Sequence, residues 1–173
     1  VAAKLKILSS LCFNSFINHN IHVEGIKLID KEDIKNANKL GFKIKLLGVS
    51  ELIDNKVYQR VHPTMINKSS YIAGIDGVLN AVITDGKPVG QSVIQGEGAG
   101  PGATTSALIS DISSILRGNI KFPFSISSKE RKKLNYSSIS ERLFSAYLRF
   151  EVLDKPGVLS NITKIFSINN VSI

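Results

Sequence analysis

Residues Ile75–Ser106 read IDGVLNAVITDGKPVGQSVIQGEGAGPGATTS, two apolar runs on either side of Asp85-Gly86 followed by a glycine-rich segment. Asp-Gly between β-rich runs is typical of a two-residue type I′ turn, so we predict an antiparallel hairpin. Apolar residues then recur every four positions and predict an amphipathic helix over residues 103–117. The stretch therefore predicts a hairpin, a glycine loop and a helix, in that order.

The glycine-rich segment holds four glycines in seven residues, at positions 96, 98, 100 and 102. Glycine adopts positive φ readily, so we expect successive N–H groups to converge on one anion, with Thr104, Thr105 and Ser106 capping the helix. A tight turn or close backbone packing is the alternative use of such a string. Because these glycines end an antiparallel hairpin, they are not the fingerprint of a βαβ dinucleotide-binding unit, and the Lys-Ser/Thr ending of a P-loop is missing.

The residues before this stretch alternate helical and strand patterns. Lys4–Ile17 predicts a largely buried helix, and Asp30–Gly41 predicts a second helix with carboxylates at its start and a glycine at its end. Phe42–Val49 and Val57–Met65 alternate as strands, with Pro63 limiting the second one or placing it at a sheet edge. We therefore predict an α+β fold, a mostly antiparallel or mixed sheet covered by helices.

The composition fits a globular protein, with 43% hydrophobic residues in 173 and no apolar run long enough to span a bilayer. The single cysteine, Cys12, lies on a predicted helix face, where we expect a buried and inert thiol. Without a second cysteine there is no internal disulfide, which fits a cytoplasmic protein. The net charge of +8 suggests nucleic-acid binding as a hypothesis, but the lysines are dispersed along the sequence, which does not favour it. The one dense run, KERKK (Lys129–Lys133), predicts a solvated linker.

The character of the chain changes after Gly118. Residues 119–140 are rich in Ser, Lys and Arg and predict a connection between domains that packs in places. Ala146–Leu153 alternates as a strand, and apolar residues from Val158 to Phe166 follow at helical spacing. We expect three parts: residues 1–118 as one domain, 119–144 as a linker, and 145–173 as a βαβ start, with the chain ending inside that last domain.

Seven segments in order resemble the homoserine dehydrogenase family: AAKLKILSSL (Ala2–Leu11), VEGI (Val23–Ile26), DI (Asp33-Ile34), GFKIKLLGV (Gly41–Val49), RVHPT (Arg60–Thr64), GVLNAV (Gly77–Val82) and GEGAGPGATTSALISDI (Gly96–Ile112). The last segment, YLRFEVLDKPGVLSNITKIFSINNVSI (Tyr147–Ile173), resembles the start of an ACT domain, a small ligand-sensing module.

The resemblance implies the C-terminal part of a catalytic and dimerisation domain. Such enzymes interconvert L-homoserine and L-aspartate 4-semialdehyde with NADP or NAD, in threonine, methionine and isoleucine biosynthesis. It implies that Lys4 is the catalytic and substrate-binding residue, with an Asp expected directly before Val1, and that Gly98, Ala99 and Gly100 contact the cofactor. The family's Rossmann domain is missing, so we expect this piece alone to be inactive. A homodimer and threonine as effector at the ACT domain are further implications.

Other sequence features allow competing interpretations. A non-catalytic amino-acid sensor and a basic nucleic-acid-binding protein are the two rival functions, and salt-sensitive binding of DNA or RNA would mark the second. His62 could pass for a general base, but no carboxylate is paired with it in the sequence, which favours a structural role. His19 and His22 could bind a metal only with a third ligand, and none is evident. We therefore expect no metal site.

Overall fold

A computed structural model describes residues 1–119, 124 and 126–173. The chain divides into two compact units, Val1–Leu143 and Phe144–Ile173. No helix among the described residues combines the length and the apolar character needed to cross a membrane.

Besides three short 3-10 helices, the larger unit contains three α-helices and six strands among its described residues: α1 (Ala2–Phe13), β1 (His22–Val23), α2 (Lys31–Lys39), β2 (Phe42–Ile53), β3 (Lys56–Asn67), β4 (Leu79–Gly86), β5 (Gly90–Glu97), α3 (Pro101–Leu116) and β6 (Asn135–Ser137). The smaller unit contains α4 (Val158–Ile168). Helices and strands mix in one unit, as the α+β prediction requires.

The long β2–β3 hairpin is the centre of the larger sheet. Its antiparallel register runs from Phe42 opposite Asn67 to Ile53 opposite Lys56. The two-residue turn between them is Asp54-Asn55, with φ of 49° and 62°, so both residues are left-handed as a type I′ turn requires. Asp and Asn are among the residues that tolerate this conformation, and the turn fixes the register of the whole ladder.

β3 has β2 on one side, while β1 and β6 share its other side as short parallel strands. β6 pairs with the start of β3 and β1 with Arg60 and Val61. Pro63 lies beyond these pairs, opposite Leu46, and β3 continues to Asn67. Pro63 therefore does not shorten the strand. It lies where β3 has β2 as its one described neighbour, so the missing N–H of proline interrupts no second ladder.

The buried core lies on both faces of β3. Val57, Tyr58 and Val61 are at most 2% exposed. α1 packs on β2 through Leu5, but the prediction of a largely buried helix was wrong: Leu8, Leu11 and Phe16 are exposed, and so is Cys12. In the described part of the chain, only the start of the apolar face of α1 is covered by other residues.

α2 begins and ends as the sequence predicts. The Asp30 carboxylate accepts hydrogen bonds from the N–H groups of Glu32 and Asp33, and the Asp33 carboxylate accepts one from the Asp30 N–H. This reciprocal capping box satisfies N–H groups that a helix start leaves unpaired. Gly41 follows the helix with a φ of 83°, a conformation that favours glycine.

β4 and β5 form the predicted second hairpin, but its turn differs from the prediction. Asp85 pairs with Gln91 and Gly86 with Gly90, so Lys87, Pro88 and Val89 form a three-residue loop. Asp85-Gly86 is therefore part of the strand. Turning at Asp-Gly would place Pro88 in the second strand, and proline cannot donate to a ladder.

The second half of the predicted connection packs along β3. Residues 120–123 and 125 of that connection lie outside the described residues. The Lys132 N–H donates to the Asn14 carbonyl at 2.9 Å, and Ser15 Oγ donates to the Lys132 carbonyl at 2.8 Å. These two bonds join the connection to the residues after α1, and β6 then covers the edge of β3 at its start.

The smaller unit is one helix against an extended segment. Apolar side chains of α4, including Leu159, Ile162 and Phe166, face Phe150 and Val152 of the segment. The Phe150 and Phe166 rings are 6.1 Å apart between centroids. The predicted helix is confirmed, and it ends at Ile168 with Asn169 as its C-cap. The predicted strand over Ala146–Leu153 has no ladder partner among the described residues.

Candidate active site

Lys4 lies in the first turn of α1, close to where that helix crosses β2. Gly48 of β2 permits the close approach, because a Cβ there would lie 3.3 Å from Val1 Cγ1 and 3.4 Å from Leu5 Cδ1. Real Cβ contacts are rarely this short, so a side chain at Gly48 would push the helix start away. The backbone position of Lys4 is therefore set by packing of its neighbours.

A buried hydrogen-bond network holds α1 to the sheet one turn further on. Ser9 Oγ lies 2.7 Å from the Leu5 carbonyl and 2.7 Å from Ser50 Oγ. Gln59 Nε2 donates to Ser9 Oγ at 2.6 Å, and Gln59 pairs with Ser50 across the β2–β3 ladder. One serine thus joins the helix to two strands, in a site where polar groups need partners.

The Lys4 side chain itself is exposed and makes no hydrogen bond or ion pair with the described residues. The Lys4 ammonium is therefore accessible to a ligand. No hydrogen bond or ion pair joins Lys4 to the glycine loop among the described residues. The structure thus places the two predicted site elements separately, one on α1 and one at the end of the β4–β5 hairpin.

The four glycines do not converge as the sequence predicts. Gly96 belongs to β5 and pairs with Asn80, while the Gly98 N–H donates to the Val78 carbonyl at 3.1 Å. Gly98 therefore extends the ladder, and its N–H is not available to a ligand. A Cβ at Gly98 would overlap the end of the exposed Asn80 side chain, which would have to move aside to admit it. The alternative interpretation, close packing, holds for Gly98, whereas Gly96 is a strand residue with open space at its Cβ position.

Gly100 is the one of the four glycines whose backbone has a positive φ. Its φ is 113°, and it is the N-cap of α3, with Pro101 as the first helical residue. Proline suits this position because its N–H would be unpaired there in any case. α3 therefore begins before Ala103, and Thr104, Thr105 and Ser106 lie inside it and make no cap. The predicted capping role of these three residues was wrong.

The loop at Ala99 and Gly100 has the features of a ligand contact. Among the described residues, neither N–H group has a hydrogen-bond partner. A Cβ at Gly100 or Gly102 would meet no described atom within 4 Å, so the surface above both is open. The start of a helix adds partial positive charge at this point. The two N–H groups can therefore donate to a carbonyl or phosphate oxygen.

The three histidines have ordinary partners. His62 lies beside Arg60 and Thr64 on β3, and the His22 ring lies 2.6 Å from the Glu24 carboxylate. His19 stacks on Tyr136 at 4.5 Å, and burial, helped by the charge of Lys6, lowers its pKa. No group of three or more possible metal ligands is present among the described residues.

A cluster of charges near the hairpin was not predicted. Lys43 Nζ and Lys45 Nζ each lie 2.6 Å from an oxygen of Asp76, and we call these three residues the ionic clasp. Hydrogen bonds from Lys43 and then Lys45 lower the pKa of Asp76 to about 2. The alternation in FKIKLLGV places both lysines on one face of β2, which is the signal that could have suggested a shared partner.

Comparison with known proteins assigns this arrangement to a family. The family model described as homoserine dehydrogenase matches residues 1–113, which include Lys4 and the loop at Gly98–Gly100. The chain belongs to the homoserine dehydrogenase family. It is 36% identical to the enzyme of that name from Neisseria gonorrhoeae over 177 residues, and 36% identical to that from Helicobacter pylori over 173 residues.

Solved homoserine dehydrogenases share the fold. The Thiobacillus denitrificans structure is 32% identical and has a TM-score of 0.71 over 96% of this chain. A Staphylococcus aureus structure at pH 7.5 is 28% identical, with a TM-score of 0.63 over 96% of this chain. The alignments with the Neisseria and Helicobacter sequences cover 98% and 99% of this chain but 41% of each relative, and the Thiobacillus match covers 40% of that chain. The chain thus spans about two fifths of the length of these relatives.

Proposed function

We propose that this chain supplies the substrate lysine and one wall of the cofactor cleft of a homoserine dehydrogenase. The enzyme would interconvert L-homoserine and L-aspartate 4-semialdehyde in threonine, methionine and isoleucine biosynthesis, in the cytoplasm. The observation that carries the proposal is the family match over residues 1–113, which contains both Lys4 and the glycine loop. Their geometry supports it, because the amine is unengaged and the loop surface is open.

Lys4 is proposed as the catalytic residue. Reduction of the semialdehyde turns its carbonyl oxygen into a hydroxyl, and the Lys4 ammonium would donate the proton that this oxygen gains. In the reverse direction the neutral amine form of Lys4 would accept the hydroxyl proton of the alcohol. The packing of Leu5 against Gly48 and the Ser9 network would hold the lysine backbone in place during this transfer.

NADP or NAD is proposed as the cofactor, with Ala99 and Gly100 as the contact from this chain. A bound nicotinamide supplies the hydride chemistry. The free N–H groups of Ala99 and Gly100 would donate to its polar atoms. Gly98 would act differently from the other two, holding the loop to the residue before β4 through its bond to Val78.

The test compares two lysines of α1 in the complete protein that carries this chain. Lys4→Ala should lower kcat by about 10²–10⁴-fold while cofactor binding is kept, because it removes proton transfer. Lys6→Ala, two residues along the same helix, is the matched control and should stay close to wild type. Turnover retained in Lys4→Ala would contradict the assignment.

A homodimer is part of the proposal, with α3 as the candidate interface. Leu108, Ile109 and Ile112 are 58%, 57% and 52% exposed, and no other described helix or strand makes an extended contact with α3. Apolar surface of this kind marks interaction sites. Ile112→Glu should lower the mass measured by light scattering from dimer to monomer, and an unchanged dimer would place the interface elsewhere.

The smaller unit is proposed as the start of an ACT domain that senses an amino acid, with threonine as the expected effector. The extended segment, the turn before Val158 and the packing of α4 support this order of elements. Threonine should lower the activity of the complete enzyme if the proposal holds. The rival sensor without catalysis would bind an amino acid and show no turnover.

A further inference from the structure

The ionic clasp joins the larger sheet to the segment that leads into β4. Besides binding Asp76, Lys43 Nζ donates to the Ala73 carbonyl at 3.0 Å, and Lys45 Nζ donates to the Ile75 carbonyl. Two lysines of β2 thus hold the backbone of residues 73–76 as well as one carboxylate. The Lys45 side chain is 19% exposed, so part of this contact is shielded from water.

The clasp lies two residues from the point where the glycine loop is attached. Asp76 precedes Val78, and the Val78 carbonyl accepts the hydrogen bond from the Gly98 N–H. The β4–β5 ladder starts at the next pair, Leu79 and Glu97. A shift of residues 76–78 would therefore be passed directly to Gly98 and the loop beyond it.

Few other contacts in the described residues fix the position of the hairpin. Among the described residues, no other strand or helix makes an extended contact with β4 or β5. The Tyr71 hydroxyl donates to Gln95 Oε1 at 2.7 Å, which ties the hairpin to the same segment, residues 71–76, that the clasp holds. That segment is also anchored by Ala73, which is 3% exposed, and by contact of residues 71–74 with β3, so the clasp is one of the attachments between the sheet and the loop.

We infer that Asp76, held by Lys43 and Lys45, is a positioning residue for the loop at Gly98–Gly100. The inference rests on the proposed cofactor contact of that loop. Asp76 would not touch the cofactor. It would fix the place of Ala99 and Gly100 relative to the sheet that carries α1 and Lys4.

The test uses the complete protein and the variant Asp76→Asn, with Asp85→Asn as the matched control. Asp85 is an exposed carboxylate on the same hairpin, and it makes no hydrogen bond or ion pair with the described residues. Asp76→Asn should raise the KM for the nicotinamide cofactor about threefold to tenfold, because the loop is misplaced. Loss of an exposed ion pair alone would give a smaller change. Asp85→Asn should leave this KM unchanged, and Asp76→Glu should have a KM close to that of the wild type.

The pattern of kinetic constants separates positioning from folding. A variant that merely folds less well has less active enzyme, which lowers kcat and leaves the cofactor KM as it was. Amide hydrogen exchange at Gly98 gives a second measurement that needs no activity. It should be faster in Asp76→Asn than in Asp85→Asn. Equal cofactor KM values, or equal exchange at Gly98, in the two variants would overturn the inference.

Gly100→Ala distinguishes this inference from the proposed function. Its φ of 113° is strained for alanine, so the substitution should raise the cofactor KM if the loop is a cofactor contact. No effect of Gly100→Ala would refute the proposed contact itself. An effect of Gly100→Ala without an effect of Asp76→Asn would refute the positioning role alone.

Discussion

The two regions that carry the candidate site are attached to the sheet by different forces. α1, which carries Lys4, is attached to β2 and β3 by a close helix–strand crossing at Gly48 and by the buried Ser9 network. The β4–β5 hairpin, which carries the glycine loop, is attached in part by the ionic clasp, whose Asp76 side chain is 61% exposed. Close packing attaches α1 to the sheet, whereas exposed charges help to attach the hairpin.

This difference suggests a division of roles. A group that transfers a proton needs a fixed position, because small misplacements lower the rate steeply. A loop that contacts a cofactor can tolerate an attachment of lower local stability, since ligand-binding loops are commonly drawn from such regions. If the two regions differ in this way, substitutions in the packed region should cost more stability than substitutions in the hairpin.

The largest effect is expected in the packed region. Tyr58→Ala should lower the free energy of unfolding by about 3–5 kcal/mol, as removal of a buried aromatic ring does. Ile94→Ala on the hairpin, where the side chain is exposed, is the control and should change it by about 0.5 kcal/mol or less. Denaturant unfolding of the complete protein measures both. Similar losses of unfolding free energy at the two sites would mean that the packed region and the hairpin do not differ in their contribution to stability.

The Ser9 network should give the next largest effect. Ser9→Ala leaves Gln59 Nε2 without its bond to Ser9, at a cost of about 1–3 kcal/mol in unfolding free energy. Ser10→Ala is a close control, because Ser10 is also buried and also bonds a carbonyl four residues back, but joins no strand. If Ser10→Ala costs as much as Ser9→Ala, the bonds to β2 and β3 add nothing.

Gly98 gives a smaller effect in the hairpin. Gly98→Ala should cost about 1 kcal/mol, the lower end for overpacking, because the exposed Asn80 side chain can move aside. Asn80→Ala in the same protein removes the overlap and should restore most of the loss. Gly96→Ala is the control, since no described atom lies within 4 Å of its Cβ position. Thermal unfolding compares the variants, and a failed rescue by Asn80→Ala would mean that Gly98 is needed for another reason.

Local signals made parts of this fold predictable from sequence. The capping box of α2 depends on residues three apart, and the apolar spacing of α3 marks a helix directly. The loop before β5 was misplaced because Asp-Gly is a stronger turn signal than its context allowed, and Pro88 should have outweighed it. The Asp54-Asn55 turn shows the same chemistry at the place where the ladder does turn.

Long-range contacts explain what the sequence did not reveal. Lys43 and Lys45 lie on one face by alternation, but their partner is about thirty residues away and nothing local marks it. The stripe of α1 indicates an apolar face without indicating what covers it, so Cys12 was expected to be buried. The glycines likewise share a spacing while Gly98 bonds the residue before β4 and Gly100 caps α3, a difference set by their neighbours.

The smallest effect concerns the clasp and pH. The pKa of Asp76 is lowered to about 2, so its contribution to stability is present above the ordinary value of 3.8 and is lost as pH falls through 2. A carboxyl carbon chemical-shift titration of Asp76 should show a midpoint near 2, and in Lys43→Met/Lys45→Met it should return toward 3.8. High salt should raise the wild-type midpoint, because the charges are near water. A midpoint that both changes leave in place would mean that the lysines do not hold Asp76, and the hairpin would then depend on its other attachments to the sheet.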